Sequence, residues 1–236
     1  MMFGILGYGF VGKATKLGLD LPDDTIIHDI DLGTDRSILD SAKTVFVCLP
    51  TETDDDIDIL ISEVQQLKAD TVIIRSTLPL GTCKRINKSC VIYMPEFLRE
   101  RHWETDCLKR PLIVGIDGEI PKWLQEYDTL ISSTTEAELV KMFSNNLGIM
   151  RIAFANIFYD LANNVDADYN IVKDMFLAVQ PNQTYLDVPG FDGKRGFGGK
   201  CLPKDLDFLI STLNTLDINA NIFEQIKELN KEWRNV

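Results

Sequence analysis

Residues 3–12 read Phe-Gly-Ile-Leu-Gly-Tyr-Gly-Phe-Val-Gly. An apolar run, Phe3–Leu6, has strand character, and helical spacing begins at about Val11 and continues to Leu19. Between them Gly7, Gly9 and Gly12 form a GxGxxG pattern, and each glycine has its own physical task. Gly7 permits the tight turn, Gly9 lets backbone N–H groups approach a pyrophosphate, and Gly12 lets the helix pack close to the strand. The helix that follows offers unpaired N–H donors to an anion at its start, around Phe10 and Val11. About 20 residues on, Asp29 ends a second apolar run, where a carboxylate accepts from both ribose hydroxyls of a dinucleotide and repels a 2′-phosphate. The expected cofactor is therefore NAD rather than NADP, with Asp31 a rival for the ribose role.

Outward from this unit the pattern repeats. Thr25–Ile30, Thr44–Leu49, Thr71–Arg75, Cys90–Met94 and Leu112–Ile116 read as further strands. Ile57, Leu60, Ile61, Val64 and Leu67 lie at helical spacing between two of them. Strands that are apolar throughout, separated by helices, indicate a parallel sheet covered on both faces. Near Thr134 the strands stop. A long proline-free helical stretch covers Glu136–Asn164, a second helix Tyr169–Val179, and a loop rich in Pro, Gly and Asp spans Gln180–Lys200. Helices at Pro203–Leu213 and Asn221–Trp233 follow. The fold class predicted is α/β: an N-terminal Rossmann-like, doubly wound parallel sheet (residues 1–134), then an all-helical domain built on one long helix (residues 135–236).

Composition narrows the function. Hydrophobic residues at 45% and charged residues at 25% suit a soluble globular protein, and the net charge of −12 repels phosphate backbones. Nucleic acid is excluded as a general partner. No apolar run approaches the roughly 20 residues of a membrane helix, and the glycine-broken N-terminus is not a signal peptide. The five cysteines form no CxxC pair, and zinc-type spacing is absent, so no metal site and a reducing cytoplasm are expected. Cys48 and Cys90, in or beside apolar runs, are expected to be buried thiols.

Chemistry concentrates in three further segments. Gly196-Phe-Gly-Gly-Lys-Cys-Leu-Pro-Lys-Asp205 places Cys201 just before a helix whose first turn holds Pro203. There the helix dipole favours a thiolate. Asp205, one turn on, orients a water or complements the helix start; both roles are compatible. Lys141 and Asn145, four apart on the long helix, share a face, although a lone helical lysine is ordinarily only solvated. Pro95-Glu-Phe-Leu-Arg-Glu100 and Ser76-Thr-Leu-Pro79 follow strands, where open α/β sheets bind ligands. This places Glu96, Glu100 and Thr77 at a site.

These segments resemble the UDP-glucose/GDP-mannose dehydrogenase family. The resemblance rests on GYGFVG, Leu49-Pro50-Thr51, STLPLGT, PEFLRE, ELVKMFSN with RIAFAN, and GFGGKCLPKD, in the family's order over nearly all of the chain. It implies NAD-dependent oxidation of a sugar-nucleotide primary alcohol to the carboxylate, with two NAD reduced per substrate. Cys201 would carry a thiohemiacetal and then a thioester. A water placed by Asp205, with Glu100 or Thr77, would hydrolyse it, and Lys141 and Asn145 would stabilise oxyanions. It further implies that Thr51, Thr77 and Lys204 join the glycine loop in holding the cofactor, and that Glu96, Phe97, Leu98 and Gly198 contact substrate, a sugar nucleotide or sugar phosphate. Family members pair through the long helix. Here Phe143, Leu147, Met150, Phe154, Phe158 and Leu161 give that helix a broad apolar face, so a homodimer is expected.

Two departures bear on substrate. Full-length relatives continue into a third, nucleotide-holding domain, which this chain is expected to lack. Relatives that oxidise UDP-glucose often carry an Arg in the loop before GFGG, whereas residues 152–194 contain none. Arg195 or Lys194 takes over that anion contact, or the pair is a solvated turn. Two alternatives remain: a two-electron hydroxyacid-type dehydrogenase, which needs no cysteine, and an NAD-binding remnant or subunit that needs a partner.

Overall fold

A computed structural model describes residues 2–86, 88, 90–109 and 111–235; the end residues of the two expected domains, Met1 and Val236, lie outside the described residues. Two compact units emerge, Met1–Lys141 and Met142–Val236.

The first unit holds one sheet of seven strands: β1 (Phe3–Leu6), β2 (Ile26–His28), β3 (Thr44–Val47), β4 (Thr71–Ile74), β5 (Val91–Tyr93), β6 (Leu112–Ile116) and β7 (Thr129–Ser132). Their order is β2-β1-β3-β4-β5-β6-β7. Its helices are α1 (Phe10–Gly18), α2 (Asp54–Gln66), α3 (Thr82–Arg85) and α4 (Trp103–Asp106). Every residue of β3 is buried, as are Val72, Ile73 and Ile74 of β4, which explains their unbroken apolar sequence. Ile5, Phe46, Ile73 and Ile92 pack with Leu19, Met94, Val114 and Leu124 into one core cluster. Truncating a fully buried isoleucine there, such as Ile73, to alanine costs about 2–5 kcal/mol. Helix α2 starts at a capping box between Thr53 and Asp56 and buries Ile57, Leu60 and Val64.

Two expectations about the sheet are corrected. β6 runs antiparallel to β5. A parallel return needs a long crossover, usually a helix, and the described residues between Tyr93 and Leu112 form a short 3-10 turn, Glu100–His102, and the four-residue α4. The seventh strand, β7, was not expected. It pairs parallel to β6 but leaves Leu130 and Ile131 exposed, so its sequence shows neither alternation nor a buried run.

With β2 on one side of β1 and β3 on the other, the strand order reverses at β1/β3, the switch point where open α/β sheets hold ligands beyond the strand carboxyl ends. The turns there are the glycine loop after β1, residues 48–51 after β3, 75–79 after β4 and 94–100 after β5.

The second unit is helical: the greater part of α5 (Thr134–Asn164), then α6 (Tyr169–Val179), α7 (Leu202–Thr215) and α8 (Asn221–Arg234). Its core joins Ile149, Ala153, Phe197, Leu206, Ile226 and Trp233. Met150 packs against this cluster instead of joining the open face of α5. Phe143, Phe154 and Leu161 on α5, and Ile171, Met175 and Val179 on α6, stay exposed. Among the described residues no helix is long and apolar enough to cross a membrane.

The β5–β6 connection is organised by a carboxylate that the sequence did not single out. Asp106, its side chain buried, accepts from the Arg99 backbone N–H at 3.0 Å, from the Arg99 guanidinium twice at 2.9 Å, and from Lys109 Nζ at 2.6 Å. The guanidinium, outweighing the cost of burial, holds this carboxyl well below the usual range. Its contribution to stability is complete above the unfolded carboxylate value of about 3.9 and is lost as pH falls from there through the lower folded value. Asp106→Asn is expected to cost about 1–3 kcal/mol near neutral pH. The difference between the two melting curves should shrink as pH is lowered below about 4; a gap that stays constant with pH would show that charge is not what Asp106 supplies.

Candidate active site

In the glycine loop, Gly7 (φ +88°) sends its N–H to the His28 carbonyl at 2.9 Å, and a Cβ there would lie 2.6 Å from the Cys48 carbonyl oxygen. A Cβ on Gly12 would lie 2.3 Å from the Gly7 oxygen. Both positions need glycine for the fold itself. Gly9 does not: its φ is −66°, and a Cβ there would meet no atom within 4 Å. The space that its missing side chain leaves lies at the start of α1, whose first turn carries no acidic residue and no side-chain cap. Asp29 directs Oδ2 at the Tyr8 N–H (2.5 Å) and Oδ1 at the Asp31 N–H (2.9 Å). Asp29 is thus the carboxylate set against the glycine loop, and Asp31 is exposed. Phe10 and Val11 are half-buried in the first turn of α1, and Thr51 and Thr77 are buried.

After β5, Glu96 is buried together with Lys141. Lys141 Nζ donates to the Glu96 backbone oxygen at 2.6 Å and to its Oε1 at 3.1 Å, and the Leu98 N–H donates to Oε2 at 2.6 Å. Phe97, partly exposed, lays its ring 5.3 Å from Nζ. Lys141 is therefore no solvated surface lysine: burying an ammonium requires a partner, and Glu96 supplies it. Glu100 is exposed, at the start of a 3-10 turn, Glu100–His102.

In the second unit, Cys201 is half-buried at the N-cap of α7, and Pro203 falls within the first turn. Asp205 is 2% exposed. Its carboxylate accepts from Asn145 Nδ2 and from Lys204 Nζ at 2.8 Å, and Lys204 also lies over the Phe208 ring. The next residue on α5, Asn146, sends its Nδ2 to the carbonyls of Met142 and Asp205 at 2.9 and 3.3 Å. Adjacent asparagines thus grip Asp205 by side chain and by backbone.

Residues 135–232 match the model of the UDP-glucose/GDP-mannose dehydrogenase family, central domain. The chain is 27% identical over 215 residues to a UDP-glucose 6-dehydrogenase of Campylobacter jejuni, covering 81% of this chain and 53% of that one. It is 30% identical over 186 residues to a GDP-mannose 6-dehydrogenase of Pseudomonas putida, covering 68% and 41%. Residues 135–232 thus carry the central domain of the UDP-glucose/GDP-mannose dehydrogenase family, and the chain as a whole is similar to dehydrogenases of that family. It spans about half the length of these relatives. Among solved structures it is similar to a UDP-D-ManNAc dehydrogenase from Pyrococcus horikoshii (TM-score 0.77, 21% identity), covering 99% of this chain and 69% of that one. A 3-hydroxyisobutyrate dehydrogenase of Mycobacterium tuberculosis shares the fold over 98% of this chain and 94% of its own (TM-score 0.71, 16% identity).

The loop that carries Cys201 is anchored by groups to which the sequence assigned no role. Phe197 is buried, and both its N–H and its carbonyl pair with the Asn230 side-chain amide, at 2.8 and 3.0 Å. Asn156 Oδ1 accepts from the Gly196 N–H at 3.1 Å. A Cβ on Gly198 would lie 2.5 Å from an Arg234 guanidinium nitrogen, so the guanidinium lies flat against that glycine. Asn156 ends the RIAFAN motif and Asn230 sits in α8 as an unremarkable polar residue; only the loop brought against them gives them a task. Arg195 pairs with Asp160 at 2.6 Å and lies over the Tyr159 ring, while Lys194 is exposed.

The other four cysteines separate by environment. Burial pushes the Cys48 thiol up to about 11. Burial, and then the Glu138 charge, push Cys83 higher still. Cys107 donates to the Glu104 carbonyl at 3.2 Å. Cys90, expected to be buried, is exposed: it takes φ +60° in the turn before β5, outside the strand. Iodoacetamide near neutral pH should therefore modify Cys201 and leave Cys48 and Cys83 untouched until the chain unfolds. Modification of Cys48 or Cys83 in the folded chain ahead of Cys201, read by peptide mass spectrometry, would contradict this assignment.

Proposed function

We propose that this chain is an NAD-dependent nucleotide-sugar dehydrogenase that takes a primary alcohol to the carboxylate through a thioester on Cys201, reducing two NAD per substrate. The observation that carries the reading is Cys201 at the start of α7, one turn from a buried Asp205 carboxylate held by Asn145 and Lys204. A dehydrogenase that removes only one hydride has no use for a nucleophilic thiol at this position.

NAD would accept the hydride in both oxidations, held by Gly7, Gly9, Phe10, Val11 and Gly12, with Asp29 toward the ribose and Thr51, Thr77 and Lys204 proposed as further contacts. The open space at Gly9 fits a phosphate approaching the α1 N-terminus. On the substrate side, the Cys201 sulfur attacks the aldehyde carbon, and the carbonyl oxygen takes up a proton. Loss of the second hydride to NAD and of the hydroxyl proton to water would leave the thioester. Water then adds to the thioester carbon, the C–S bond breaks, and carboxylate and thiol are released. Lys141 has a third N–H beyond the two on Glu96, and Asn145 has a second amide N–H beyond the one on Asp205. These donors would stabilise the oxyanions. Asp205, aided by Glu100 or Thr77, would orient the water, and Glu96, Phe97, Leu98 and Gly198 would line the substrate. With its guanidinium on Asp160, Arg195 would contact substrate only from that fixed position.

The same reading includes pairing of two copies through the exposed apolar residues of α5 and α6, which light scattering would detect as a dimeric mass. The deciding measurement is NADH formed per sugar nucleotide consumed. Two supports the proposal; one indicates a hydroxyacid-type reaction, and none indicates a chain that needs a partner. Gly9→Ala should fold with an unchanged melting temperature yet bind NAD about tenfold more weakly, since only the ligand needs that space. Cys201→Ser should oxidise the alcohol but release little acid, and normal acid formation by Cys201→Ala would refute the thioester.

A further inference from the structure

Arg75, just after β4, is 6% exposed and lies among groups from two different parts of the first unit. Its Nε donates to Thr15 Oγ1 at 3.2 Å. Its Nη1 donates to the Met94 carbonyl at 2.8 Å and reaches the Pro95 carbonyl at 3.5 Å. Thr15 passes its own proton to the Val11 carbonyl at 2.8 Å, in the first turn of α1. Beyond Pro95 comes Glu96, whose backbone oxygen and carboxylate hold Lys141. Hydrogen bonds therefore run from the helix behind the glycine loop through Arg75 to the Met94 and Pro95 carbonyls, and the backbone carries the connection on to the Glu96–Lys141 pair.

We propose that Arg75 is a positioning residue that sets the Pro95–Glu96 segment, and through it Lys141, against the glycine-loop helix. The role rests on the reading of Glu96 and Lys141 as part of a reaction site. The planar guanidinium suits the task. It donates from different edges in fixed directions, so it holds a helix side chain and two strand-end carbonyls in one geometry. A lysine in its place would offer a single flexible ammonium. The segment it holds ends its strand at Tyr93 and forms no ladder bonds of its own past the Met94 N–H on Ile74, so its placement depends on side chains such as this one.

The test reads Lys141 directly and needs no substrate. The full chain is treated with limiting acetic anhydride, and the acetylation of Lys141 is measured by peptide mass spectrometry relative to exposed Lys68. Arg75→Met and Arg75→Lys should raise the relative rate at Lys141 about tenfold, by letting the Glu96 segment open locally. Thr15→Val, which leaves Arg75 in place but removes the hydroxyl that receives its Nε and that also meets the Val11 carbonyl and the Cys48 sulfur, should raise it by about threefold. Lys204, also screened from solvent, should be unaffected, which separates lost positioning from general softening. Glu63→Gln, which breaks the Arg36–Glu63 pair elsewhere in this unit, should leave Lys141 unchanged. Rates at Lys141 within about twofold of the parent chain in the folded Arg75 variants and in Thr15→Val would overturn the proposal. If Arg75→Met does not fold, Arg75→Lys and Thr15→Val decide by the same criterion. A chain that shows this labelling pattern but makes no NADH would sink the dehydrogenase reading and leave the role of Arg75 standing.

Discussion

The central strands β1, β3 and β4 are covered on both faces, and their backbone groups are spent on one another. Polar chemistry is therefore expelled to the strand ends. At the carboxyl ends each turn must either satisfy its own backbone or leave donors facing outward. Gly7 does the first, with its N–H on His28 and its Cα against the Cys48 carbonyl. Gly9 does the second, leaving the start of α1 open. The sheet places this loop at β1/β3, where the strand order reverses.

Charge is taken inside repeatedly, and every instance has a partner. Glu96 and Lys141 neutralise each other. Asp106 is surrounded by Arg99 and Lys109, Asp205 by Asn145 and Lys204, and Arg75 by a hydroxyl and two carbonyls. Glu138, whose carboxyl burial raises above its ordinary value, caps the start of α3 through the Gly81 and Cys83 N–H groups. A buried ion pair adds little to stability over an apolar one, but losing one partner is costly. Such pairs hold particular groups in particular places more than they strengthen the fold. That several of them lie at strand ends or at the start of α7 agrees with a molecule built to position charged groups.

What local chemistry could reveal was read from the chain directly. The glycine turn, the apolar strands, the long proline-free helix and a cysteine ahead of Leu-Pro-Lys-Asp all announce themselves within ten or so residues. β7 escaped because Leu130 and Ile131 are exposed in a strand at the sheet edge. The antiparallel β5–β6 pair escaped because direction depends on the path of the connection, and the apolar content of a strand is silent about that. Cys90 looked like a core thiol because it adjoins an apolar run, yet a single residue of positive φ puts it outside.

By itself the sequence determined the element types, the glycine positions and the segments where reactive side chains concentrate, since these follow from propensity, periodicity and spacing along the chain. Tertiary structure alone decided the partners. Nothing around Lys141 in the sequence shows that Glu96 will take its charge 45 positions earlier. Nor does the sequence show that Asn230 will hold Phe197, or that Arg75 will bridge Thr15 and Met94. Hydrogen bonds and ion pairs act over about 3 Å. Which groups come within that range is set by how the sheet and helices close on their cores, a property of the whole chain that no local window contains.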